Sequence, residues 1–343
     1  MHRKIVAGAI HCAAILTILL AAGTVQAADV CPALRLQSAS PDPATRVAAF
    51  ACNENLLWYR PFIDANGRVA STTVAEAESS LLADHATETW QRVADYWRQS
   101  GLLPQMSRFP GADACALAGH DIASAPACRT FVIDHPWSAV FVSYVMTKAF
   151  LPGFRPSATH FDYVRDAWLH PDASPFLYLD PSTAKPATGD LLCAVRGGPG
   201  RGYPGLVGAI DAGGGSLNMH CDIIVGVNPG GDGKVYLIGG NVQQGVTMRL
   251  LNVNRLGNFW GLPQRAGTGS ECSPDNIASC NFNRQDWAVL LKLKPAAALA
   301  QLAPAIPSAP QPATSAQPRT CCIYCVLGSP VPRCPAPEVA TPP

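Results

Sequence analysis

The sequence reads as an α+β protein in which N-terminal helices pack on an antiparallel β-sheet. Two observations predict this. Helical spacing of apolar residues dominates the first half, whereas from Gly189 the period changes to two, in GDLLCAV, MHCDIIVGV, KVYLIGG, VTMRLLNV and WAVLLKLK. Helices first and strands second, with glycine-rich turns such as NPGGDGK between the strands, argue for this layout. A third observation sets the scale: 48% of the residues are hydrophobic and 14% charged, enough apolar material for a sizeable core.

The elements follow in chain order. Residues 1–27 have the form of a secretory signal: basic MHRK, an apolar run, and the small-residue end VQA before Ala28. An uncleaved membrane anchor is the alternative, and it is the only route by which a membrane enters. Residues 28–72 form a mixed N-terminal segment with Asn and Pro turns. A helix is expected from Thr73, because Thr73 and Glu76 match a capping box and Leu82, Ala86, Trp90, Val93 and Trp97 share one face. Gly101 ends it, and both tryptophans read as core. Residues 111–129 read as a loop with two cysteines. WSAVFVSYVMTKAF is expected to be a buried helix, and PSATHFDYVRDAWLH a second, short one with Ser157 as its cap. GGPGRGYPG and DAGGGS read as flexible loops, and they lack the GxxxxGK[ST] pattern of a phosphate cradle. Residues 73–294 thus form the expected main domain, followed by a Pro/Ala-rich linker over 295–320 and a Cys-rich tail over 321–343.

Charge and cysteines narrow the environment. With 25 basic and 24 acidic residues the formal net charge is +1, so nothing points to nucleic acid. Of 13 cysteines, Cys12 lies in the signal, leaving an even number in an exported chain. That implies an oxidising compartment, periplasmic or secreted, and disulfides. Close spacing suggests Cys31–Cys52, Cys115–Cys128 and Cys272–Cys280. In the tail, Cys321, Cys322, Cys325 and Cys334 read as disulfides, with zinc as the alternative. No cofactor is expected.

One stretch carries chemistry. In HPWSAVFVSYV, Pro136 suits a first helical turn and places Ser138 at the helix N-terminus, where free N–H groups favour negative charge. His220 lies on the strand MHCDIIVGV and shares a face with Asp222 and Ile224, while Cys221 points the other way, toward Cys193 on the GDLLCAV strand. Asn241 ends the neighbouring strand and can orient the imidazole. Ser138 as nucleophile, His220 as base and Asn241 as orienting group therefore form the candidate catalytic set. Trp137, His160 and Tyr163 are candidate substrate-binding residues, with Arg249 a further cleft-lining candidate and His135 a reserve base. Ser138 also has a plain reading as a small residue at a helix start, and His220 as a structural histidine.

PWSAVFVSYV, GDLLCAVR and HCDIIVGVNPGGDGKVYLIGGNVQQGV, in this order, resemble the cysteine-, histidine-dependent amidohydrolase/peptidase (CHAP) superfamily. The span from the helix to IGGN also resembles an uncharacterised family of secreted bacterial proteins. The resemblance implies a papain-like fold and hydrolysis of amide bonds, with peptidoglycan peptides as substrate. Ser138 stands where the CHAP pattern has Cys, and a hydroxyl needs concerted proton removal and an oxyanion hole where a thiol is held as thiolate. The expected function is thus an exported amide hydrolase. The alternatives are a catalytically inactive relative that binds cell-wall peptide or glycan, and a disulfide-stapled envelope protein.

Overall fold

A computed structural model describes residues 29–117, 122–197, 202–264, 272–277, 280–302, 320–325 and 331–335. The expected signal segment, residues 303–319 of the expected linker and parts of the tail lie outside the described residues.

The helices are α1 (Cys31–Leu34), α2 (Pro43–Leu57), α3 (Thr89–Gln99), α4 (Ala112–Ala116), α5 (Ala125–Asp134), α6 (Ser138–Lys148), α7 (His160–Leu169), α8 (Gly202–Asp211) and α9 (Ala296–Leu299). The strands are β1 (Phe62–Ile63), β2 (Val69–Ser71), β3 (Phe176–Leu179), β4 (Leu191–Val195), β5 (Met219–Val227), β6 (Lys234–Val242), β7 (Gly245–Asn252) and β8 (Asp286–Leu293). They form one eight-stranded sheet in the order β2-β1-β7-β6-β5-β4-β8-β3.

The α+β class is as expected, but the sheet is mixed: β1 runs parallel to β7, and the remaining neighbours are antiparallel. β1 and β2 are two and three residues long, too short for a period-two signal. Alternation along the central strands splits the core in two. Cys193, Cys221, Ile223, Tyr236 and Ile238 join the large cluster built with α2, α3, α6 and α7. Leu192, Ala194, Ile224, Leu237 and Trp287 face the other side, against Phe259 and Leu262. α6 is buried along most of its length and packs on β5 and β6. Gly240 permits that approach, since a Cβ there would lie 2.3 Å from Phe141 Cβ. Asp190 of the GDLLCAV strand is a structural anchor: its carboxylate, 1% exposed, accepts from Lys292 Nζ, Leu293 N and Ala187 N.

Several local expectations are corrected. The helix expected from Thr73 begins at Thr89, and its capping box is Glu88 with Gln91. Before it, the Asp84 carboxylate accepts from the Ala86 and Thr87 N–H groups and closes a turn, while Glu76 is drawn into the core. Residues 43–57 form α2, capped by Asp42 with Pro43 at its start, where turns were expected. The expected loop at 111–129 contains α4 and the start of α5, and α8 occupies much of the glycine-rich stretch after β4. Short helices rich in Ala, Gly and Pro carry little periodic signal; tertiary packing sets them.

Six disulfides form: Cys31–Cys52, Cys115–Cys128, Cys193–Cys221, Cys272–Cys280, Cys321–Cys334 and Cys322–Cys325. Their number is consistent with an oxidising, extracellular environment. Cys193 and Cys221 are directly opposed on β4 and β5. The tail folds back on the domain, where Asp134 Oδ1 accepts from the N–H groups of Ile323 and Tyr324. Among the described residues no helix is long and apolar enough to cross a membrane.

Candidate functional site

The site is organised by the start of α6. Phe141 N donates to Trp137 O and closes the first turn, so the N–H groups of Ser138, Ala139 and Val140 have no partner within the helix. Trp137 fixes this end. Its side chain is fully buried, stacks on Trp58 at 5.8 Å between ring centroids, and donates from Nε1 to Glu76 Oε2 at 2.6 Å. Burial, opposed by that hydrogen bond, raises the Glu76 carboxyl to about 7. Trp137 is therefore a core residue that anchors the helix start, not a lining of a cleft.

A second anchor delivers His160. Within α6 the buried Ser143 hydroxyl donates to Ser157 O at 2.9 Å and accepts from Ser157 N at 3.0 Å, pinning the SATH segment over the helix. Ser157 in turn accepts from Thr159 N, although the helix-capping position itself is Thr159. His160 opens α7, and its Nε2 lies 2.8 Å from Ser138 Oγ. Its Nδ1 meets the hydroxyl of Tyr163, three residues on and hence on the same helical face. The expected hydrogen bond between Ser138 and His220 is absent, and His160 takes that place. Strand alternation explains the difference: Cys221 and Ile223 face the α6 side, and His220 turns with Asp222.

His220 belongs to a separate polar row. His220 Nε2 lies 2.8 Å from Asp222 Oδ1, and Arg249 Nε donates to Asp222 Oδ2 at 2.9 Å. Arg249 Nη1 donates onward to Phe282 O and Asn283 Oδ1. Gly239 leaves the space for this, since a Cβ there would sit 2.0 Å from Asp222 Oδ1. The two histidine rings approach edge to face, with centroids 5.3 Å apart. The row and the Ser138–His160 pair are thus adjacent.

Charge states follow from the surroundings. Burial raises the Asp222 carboxyl, but His220 and Arg249 outweigh it and hold the group ionised, well below the usual range. Burial lowers both histidines, aided for His160 by His220 and Arg196, and for His220 by Arg196 and Arg249 against the pull of Asp222. Both imidazoles are therefore neutral near pH 7. An ionised Asp222 accepts only, so His220 donates from Nε2 and carries its lone pair on Nδ1. That Nδ1 is buried and, among the described residues, has no hydrogen-bond partner.

Beside His220 lies a cavity of about 240 Å³ lined by Ile63, Arg196, His220, Asn241, Val242, Gln243, Arg249, Phe282 and Gln285. Asn241 reaches this wall, but the hydrogen-bond partner of His220 is Asp222. Asn241 and Gln243 adopt positive φ of 54° and 53°, conformations rare outside glycine. Tyr163, 5% exposed, stands behind His160, and His135 is taken up by Phe131, whose carbonyl meets its Nδ1 at 2.9 Å. Among the described residues no group of three or more His, Cys, Asp or Glu is placed to hold a metal ion.

The sequence singles out His160 as a substrate-binding candidate and places Asp222 on the face of His220, but not the contact of each with its partner here. Both had a signal: His220-x-Asp222 shares one strand face, and His160-x-x-Tyr163 shares one helix face. The meeting of His160 with Ser138 had none, because it depends on how α7 packs across α6.

No curated protein and no solved structure matches the chain. A family model described as an uncharacterized protein conserved in bacteria (DUF2272) matches residues 84–293. That span is more than half of the chain and includes Ser138, His160, His220, Asp222 and Arg249; the protein belongs to the DUF2272 family of bacterial proteins.

Proposed function

We propose that the protein is an exported hydrolase of amide bonds, periplasmic or secreted, with Ser138 as nucleophile and peptidoglycan peptides as substrate. The observation that carries the reading is the 2.8 Å approach of His160 Nε2 to Ser138 Oγ at the N-terminus of a buried helix. The substrate class and the papain-like kinship rest on the resemblance to the CHAP pattern. His160 replaces His220 as the base that touches the serine.

In this mechanism the Ser138 hydroxyl donates to the neutral Nε2 of His160, whose Nδ1–H donates to Tyr163. Oγ attacks the amide carbon as its proton moves to His160. The developing oxyanion meets N–H groups of the first turn of α6. The imidazolium is favoured by the negative charge of Asp222, which raises the His160 pKa against burial. His160 then returns the proton to the departing amine as the C–N bond breaks. Water attacks the acyl-serine, gives its proton to His160, and the carboxylic acid leaves as Ser138 is reprotonated.

A second reading, a catalytically silent cell-wall-binding protein, is favoured by one observation. Ser138 and His160 are only 6% and 3% exposed, whereas polar side chains line the cavity on the His220 side. Incubation of the mature protein with peptidoglycan fragments separates the two readings. Hydrolysis releases new amine termini, and Ser138→Ala abolishes them. Binding without new termini in the wild type selects the second reading.

A further inference from the structure

The cavity beside His220 does not include Ser138 or His160 among its lining residues, so its ligand and the turnover at Ser138 are separable. His220, 3% exposed, brings a buried Nδ1 that has no partner among the described residues. Its Nε2–H is committed to Asp222, so Nδ1 offers a lone pair and no proton. A buried acceptor of this kind calls for a donor. Three amides share the wall, Asn241, Gln243 and Gln285, and Gln285 Nε2 already donates to Phe282 O. The Arg249 guanidinium is taken up by Asp222 Oδ2, Phe282 O and Asn283 Oδ1. Ile63, Val242 and Phe282 supply apolar contact. At about 240 Å³ the cavity has the volume of roughly eight waters of liquid, which limits its occupant to a small unit.

These features fit a secondary amide. Its N–H donates and brings no lone pair of its own into the buried contact, whereas a hydroxyl would bring two. Its carbonyl, on the other side of the same planar group, accepts from an amide side chain. Apolar side chains interspersed with amides match a backbone unit that carries a small apolar side chain. A sugar ring would instead set its hydroxyls against Ile63, Val242 and Phe282.

We propose that this cavity binds one peptide unit, with its N–H donating to His220 Nδ1 and its carbonyl accepting from Asn241. The choice of a peptide as the source of the amide rests on the substrate proposed for Ser138.

The test uses the purified mature protein with N-acetyl-alanine methylamide, in its L and D forms, against O-acetyl-lactic acid methyl ester of the same hand. The ester has oxygen in place of each N–H and keeps both carbonyls. Calorimetry is expected to show one hand of the amide binding roughly two- to tenfold tighter than its ester, the range for one neutral hydrogen bond. Its binding is expected to move the ¹⁵N resonance of His220 Nδ1. His220→Phe is expected to make amide and ester bind equally. Asn241→Gly keeps the left-handed backbone of that position, where φ is 54°, and is expected to weaken both ligands while leaving their ratio. If His220→Phe does not fold, the ligand pair and the resonance in the wild type decide. Equal binding of amide and ester by the wild type, no binding of either, a stationary Nδ1 resonance, or tighter binding of N-acetylglucosamine than of the amide overturns the assignment. Ser138→Ala is expected to keep the preference for the amide, so loss of turnover in that variant bears on the hydrolase reading alone.

Discussion

The two buried histidines stand 5.3 Å apart and are held in opposite ways. His160 lies between two hydroxyls, Ser138 and Tyr163, and among the described residues no carboxylate is in direct contact with it. His220 is fixed by Asp222, which is itself held by Arg249, yet its other nitrogen meets no donor. The first arrangement has a hydroxyl and an imidazole in contact but, among the described residues, no charged orienting group. The second has a carboxylate on its imidazole and, among the described residues, no hydroxyl or thiol in contact with it. The difference teaches that the contacts expected of one Ser–His–orienting set are divided here between a helix-borne pair and a strand-borne row. On the proposed hydrolase reading, Ser138 and His160 go together, since a hydroxyl nucleophile needs its base within hydrogen-bond reach throughout.

Replacing each histidine in turn breaks the comparison most sharply. His160→Gln is expected to lower kcat on peptidoglycan fragments by roughly a hundred- to ten-thousandfold, the usual contribution of a general base. His220→Gln is expected to raise KM with a smaller change in kcat. The reverse order of effects on kcat assigns the base to His220. Because burial, His220 and Arg196 all lower His160, its base form persists below the ordinary histidine value of 6.5. The acid limb of kcat/KM should therefore lie below pH 6.5.

Asp222→Asn separates structure from catalysis in the strand-borne row. Removing one partner of a buried ion pair leaves the Arg249 charge uncompensated, at a cost of about 3–5 kcal/mol. Chemical denaturation should show that loss, while Asp222→Asn with Arg249→Leu recovers part of it.

The smallest effect concerns the anchor behind α6. Above pH 4.5 the unfolded chain gives up the Glu76 proton, whereas the folded chain keeps it to about 7. Stability should thus fall as pH rises through that window, by about 3 kcal/mol at full ionisation. Glu76→Gln should flatten this fall, which thermal unfolding across pH measures directly.

The sequence made the central strands β4 to β8 and the buried helix α6 legible, because alternation and helical burial are strong local patterns. It also made the Cys193–Cys221 pairing readable, since both cysteines fall at matching positions of strands that pair. Short elements such as β1, β2 and α8 were not readable, since their residues are fixed by neighbours distant in the chain. For the site, residue identities were visible in large part, but pairings were not. Nothing local to SATHFDYV says that His160 reaches Ser138; the Ser143–Ser157 contacts that place it join two elements. Trp137, next to the serine, reads as a cleft residue in the sequence, whereas its buried indole donates to Glu76.

The most direct measurement of Ser138 as a nucleophile is covalent labelling with a fluorophosphonate, followed by intact mass and peptide mapping. Activation by His160 predicts one adduct, on Ser138, that is lost in Ser138→Ala and slowed sharply in His160→Gln. A wild-type protein that stays unlabelled while it still cleaves peptidoglycan fragments, or a label on another residue that His160→Gln leaves unchanged, would contradict it.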